Sequence, residues 1–138
     1  MESLTTAKRF LAVLAGLTLM LPALALSAGG AQQEVTTAEQ HAAFASKAKD
    51  VDQTHLHLHH VINCLVGPGG DGFDAKAGNP CKGQGDGALN GVQSSQEQQT
   101  LERALALAKI GTQIPAYKPA HYTAMAVREL LEGAKRGN

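Results

Sequence analysis

Hydrophobic positions along this chain recur at helical spacing. Phe44, Val51, His55, Leu58, Ile62 and Leu65 follow one another at steps of three, four or seven, so a helix would carry them on one face. Leu101, Leu105, Ala108 and Thr112 repeat the pattern, and Ala120, Ala124, Val127 and Leu131 repeat it again. No alternating run longer than a few residues occurs, so the expected class is all-α, a small helical bundle with three main helices.

Capping signals set the expected limits of these helices. Thr36 and Thr37, with Glu39 and Gln40 three residues on, form a capping box that opens the first helix at about residue 37, and Gly67 with Pro68 closes it at about 66. A break between Asp50 and Thr54 is open, because Asp52 and Thr54 could cap a second start. Ser94 and Ser95, followed by Glu97 and Gln98, open a second helix over 95–111. Pro119 suits the first position of a third, over 119–133, which ends near Gly133. Residues 67–93 hold nine glycines and no sustained period, which predicts a long irregular loop. A loop of that length in a small domain needs a function or a staple.

The N-terminus has a different character. Lys8 and Arg9 precede an apolar run from Phe10 to Leu26, interrupted only by Gly16, Thr18 and Pro22, and small residues follow at Ala23, Ala25, Ser27 and Ala28. This is the layout of a signal peptide over residues 1–28, with cleavage expected between Ala25 and Ala28. The run is short of the roughly 20 apolar residues that span a bilayer, so no stable membrane anchor is expected after cleavage. Residues 29–36 read as a flexible leader, and about 110 residues remain after processing, enough for the one domain expected over 37–134. The expected location is outside the cytoplasm, periplasmic if the source is bacterial.

Charge and composition narrow the partners. The chain carries 12 basic and 12 acidic residues, and loss of Glu2, Lys8 and Arg9 with the signal leaves it about one unit acidic, with no polyanion-binding surplus. It has no Trp, two Tyr and three Phe, too few stacking platforms for a single-strand binder, so nucleic acid is excluded. Both cysteines, Cys64 and Cys81, lie beyond the signal. In an exported chain they are expected to form a disulfide, tying the middle of the Gly-rich loop to the end of the first helix.

Five of the six histidines fall between positions 41 and 60. On a helix His55 and His59 stand one turn apart and can converge on one ion, with Asp52 beside them and His121 as a remote donor from the third helix. His57 and His60, three apart on the other side, form a second candidate pair that needs ligands from the loop, such as Asp71 or Asp74. His41 lies five turns before His59, out of reach unless the helix breaks. Imidazole and carboxylate ligands suit zinc, copper(II) or nickel.

Other chemistry finds less support. GQGDG follows no strand, Lys82 is not part of a phosphate-binding loop, and the calcium-loop spacing is missing. No G-x-S-x-G elbow occurs, and an enzyme is not expected. Covalent haem attachment would need C-x-x-C-H, which is absent. The residues therefore predict an exported metal-binding protein, a carrier, buffer or sensor of a zinc- or copper-like ion. The alternatives are a metal-free helical interaction protein that docks a partner through its loop, and a non-covalent haem binder.

Overall fold

The computed structural model describes residues 24–136, all of whose regular structure is helical. Five helices follow in order: α1 (Leu24–Ala45), α2 (Val51–Val66), α3 (Ala88–Gly91), α4 (Ser95–Gly111) and α5 (Tyr117–Arg136). Up to residue 23 the expected signal peptide lies outside the described residues. Among the described residues, no helix is long and apolar enough to cross a membrane.

The stretch expected to be a flexible leader is part of α1. Ala31, Val35, Ala38, Ala42 and Ala45 are buried at steps of four and three, a stripe that runs straight through residues 29–36. Small side chains let α1 approach its neighbours closely and bury without the large apolar residues that usually mark a core helix. The expected cap at Thr36 and Thr37 is accordingly in the middle of the helix. Their hydroxyls donate back to the carbonyls of Gln32 and Gln33, at 2.9 and 3.0 Å.

The helix expected over 37–66 breaks into two. The Asp50 carboxylate accepts from Gln53 N at 2.8 Å and caps α2, the role expected of Asp52 or Thr54. Thr54 is buried and donates to the Asp50 carbonyl instead, while Asp52 sits in the first turn, where its charge complements the helix dipole. The hairpin between α1 and α2 is clamped from outside by Tyr117, whose hydroxyl donates to the Ala48 carbonyl at 2.7 Å.

Leu58, Val61, Ile62 and Leu65 from α2 meet Leu101, Ala104 and Ala108 from α4 and Ala124, Val127 and Leu131 from α5 in one core. Gly111, at the end of α4, permits a close approach of α2: a Cβ there would lie 2.6 Å from Leu58 Cδ1. Phe44, expected on the inward face of the first helix, is 51% exposed, because the break gives α1 its own alanine stripe as an inner face.

The Gly-rich segment is a chain of turns pinned to the bundle, with α3 near its end. Cys64 and Cys81 form the expected disulfide, with Cα atoms 5.3 Å apart. Buried Asn63 donates to the carbonyls of Asp74 (2.8 Å) and Gly78 (2.6 Å) and accepts from Asp74 N at 2.8 Å. At the far end Gly87 N donates to the buried Glu34 carboxylate at 2.9 Å. On the chain-entropy argument, closing a loop of this size contributes about 3 kcal/mol. A Cys64→Ala/Cys81→Ala variant is expected to lose about that much stability in urea denaturation; unchanged stability would mean that Asn63 and Glu34 hold the loop unaided.

Candidate metal centre

Antiparallel packing of α1 on α2 places residues at similar distances from the hairpin side by side. His41 lies four residues before the end of α1, and His57 and His60 lie in the middle of α2, three apart on one face. His41 Nδ1 is 3.2 Å from His57 Nδ1 and 3.1 Å from His60 Nδ1. One ligand atom from each of the three residues lies within 4.8 Å of the other two, and all three side chains are half-buried.

Three ring nitrogens facing one another are an unusual arrangement for a bundle surface. The His60 tautomer follows from its second nitrogen: Nε2–H donates to the Ala77 carbonyl oxygen at 2.7 Å, which leaves Nδ1 with a lone pair aimed at the cluster. One proton on His41 Nδ1 could be shared between its two neighbours, but a cation would satisfy all three lone pairs together. Ligands at the zinc–nitrogen distance of about 2.0–2.1 Å on a tetrahedron lie roughly 3.3 Å apart, close to the two separations from His41 Nδ1. The Ala77 carbonyl then acts as the outer partner that ligating histidines generally have, orienting the ring and raising its basicity. That carbonyl belongs to the turn held by Asn63 and Cys81, so the Gly-rich segment contributes to the site through its backbone rather than through a carboxylate.

His41 and His57 resist protonation. Burial, followed by the charges of His60 and His57, lowers the His41 imidazole to about 4, and burial followed by His60 lowers His57. Below the ordinary value near 6.5 the unfolded chain takes up protons that folded His41 refuses. These groups therefore leave stability intact above pH 6.5 and erode it as pH falls toward about 4. Buried Glu34 is raised and acts with the opposite sign, so the test compares variants. In chelator-treated protein, wild type is expected to lose more stability than His41→Asn between pH 7 and pH 5, measured by urea denaturation. Equal losses would show that His41 is not the responsible group.

The pair expected to lead, His55 and His59, lies outside this cluster. His55 Nε2–H donates to the Ile114 carbonyl at 2.9 Å, locking α2 to the α4–α5 connection. His59 Nδ1 faces Asp74 Oδ2 at 3.8 Å. Asp52 is exposed in the first turn of α2, and His121 lies between the rings of Tyr117 and Tyr122 on α5. Among the described residues, the cluster of three or more metal-binding side chains does not include His55, His59, Asp52 or His121. The second expected pair, His57 and His60, is the one brought together, and its third member is His41 rather than Asp71 or Asp74. Asp71 accepts instead from Lys109 Nζ at 2.7 Å.

Phe44 closes one side of the cluster, its ring centroid 5.5 Å from His41 and 5.3 Å from His57. Comparison with known protein families, with curated proteins and with solved structures returned no match to this chain.

Proposed function

We propose that this protein binds one zinc- or copper(II)-like ion through Nδ1 of His41, His57 and His60, and that it serves as an exported carrier, buffer or sensor of that ion. The observation that supports this most is the convergence of three imidazoles, with His41 Nδ1 at 3.2 and 3.1 Å from Nδ1 of His57 and His60, all three within 4.8 Å of one another, and His60 oriented by a backbone acceptor. An all-imidazole donor set favours zinc, copper(II) or nickel over calcium and magnesium, which prefer oxygen. Half-burial of the rings leaves the ion exchangeable, as a carrier or buffer needs. The disulfide fits an oxidising compartment and supports export.

A binding role is favoured over catalysis because, among the described residues, the cluster comprises histidines alone, with no carboxylate oxygen joining it to act as general base. Nitrogens this close together suit a bare ion better than the iron of a macrocycle, which weighs against haem. Five backbone groups of the Gly-rich loop are bonded to Asn63, His60 and Glu34, which weighs against a loop built to dock a partner.

The test is metal analysis and native mass spectrometry of untagged protein after incubation with zinc or copper(II) and desalting. One equivalent of metal is expected. Metal-free protein after exposure to both ions would remove the reading.

A further inference from the structure

The three histidines would fill three positions of a tetrahedral site, and among the described residues no fourth His, Cys, Asp or Glu joins their cluster. A divalent ion held by three neutral imidazoles keeps its full charge, so its remaining position favours an anion. Beside the cluster lies an open groove of about 380 Å³ whose lining includes Phe44, Lys47, Lys49, Asp50 and His57. His57 belongs to both, forming a wall of the groove and a ligand of the cluster. The Phe44 ring touches His41 and His57 and offers an apolar surface, half-exposed, for the rest of a bound molecule. Lys47 and Lys49 are exposed on the rim, while the carboxylate of Asp50 is already spent on the α2 N-cap.

We propose that the metal-loaded site takes a small carboxylate from solution as its fourth ligand: the carboxylate oxygen binds the ion, the ammonium groups of Lys47 and Lys49 draw the anion in, and Phe44 supports its carbon skeleton. The inference rests on the metal-binding reading above and deepens it from ion binding to binding of an ion with an organic acid. Coordination is the only bond formed, and no electron or proton is transferred to the ligand.

Cobalt(II) serves as the probe because its visible absorption reports the donor set. Untagged protein loaded with one equivalent of cobalt and titrated with acetate, then with benzoate, is expected to show saturable spectral shifts at one anion per ion. Benzoate should bind several-fold more tightly through contact with Phe44. A Lys47→Gln/Lys49→Gln variant is expected to bind cobalt as wild type does but the anions about tenfold more weakly, as loss of local positive charge predicts. Cobalt binding without any response to either anion overturns the proposal and leaves the metal-binding reading standing, whereas failure to bind cobalt or zinc overturns both. An anion response unaltered in the lysine variant overturns the groove as its seat. Metal-dependent dimerisation by light scattering also overturns the proposal, because the fourth donor would then come from a second copy of the chain.

Discussion

Replacing His41 with Ala is expected to lower zinc affinity about 100-fold or more, while replacing both His55 and His59 with Ala is expected to leave it within a factor of about three. The first expectation follows from position: His41 Nδ1 touches both of the other donors, so its loss leaves two histidines on one helix face. Changes in the outer partners of metal ligands alone cost 10–100-fold, and removing a ligand costs at least as much. The second follows because His55 is bonded to the Ile114 carbonyl and His59 faces Asp74, both outside the cluster. The double variant should instead lose stability, since His55 joins α2 to the α4–α5 turn. Competition with a chromophoric chelator measures the affinities, and urea denaturation measures the stabilities. If the double variant lost the metal and His41→Ala kept it, the site would have to be redrawn around His55 and His59.

Gly67→Ala is expected to be the most damaging of the small substitutions. Gly67 follows α2 with φ 70° and ψ 173°, a backbone conformation essentially confined to glycine. A Cβ at this position would overlap the Asp86 carbonyl and lie 2.7 Å from Gly87 N, where the two ends of the Gly-rich segment cross. Backbone strain of this kind costs about 1–3 kcal/mol, and backbone on both sides of the overlap cannot swing away as a side chain would, so a total of about 3 kcal/mol or more is expected. Gly69→Ala is the control, because nothing lies within 4 Å of a Cβ there; it should change stability by less than about 0.5 kcal/mol. Equal urea midpoints for the two variants would show that the crossing at Gly67 and Gly87 does not constrain the fold. The crossing also bounds the turn that presents Ala77 to His60, so Gly67→Ala should weaken metal binding as well.

Helical periodicity in Leu58, Ile62 and Leu65, in Leu101 and Ala108, and in the Ala120 to Leu131 stripe could be read directly, because side chains at steps of three and four must share a face whatever they pack against. The cap at Ser94 was legible from equally local spacing, and the disulfide because two cysteines in a chain expected to be exported allow one internal pairing. The opening of α1 was not. Its buried stripe is mostly alanine, and alanine contrasts too little with polar neighbours for periodicity to stand out over GGAQQEV. Thr36 and Thr37 supplied a capping pattern with no helix start behind it, since a threonine hydroxyl can bond a preceding carbonyl as readily as a following amide.

The site divides along the same line. Density of histidine between positions 41 and 60 marked the region, and the helical spacing of three paired His57 with His60; both facts belong to the chain alone. Choosing between that pair and His55 with His59 required knowing which face of α2 meets α1 and which meets the α4–α5 turn. His41 could join only because Asp50 caps a second helix and folds α2 back along α1, turning a sequence separation of 16 residues into a contact of 3.2 Å. One-dimensional spacing determines which side chains share a helix face, but a metal centre is a convergence of donors from different elements. That convergence is decided by how the helices pack.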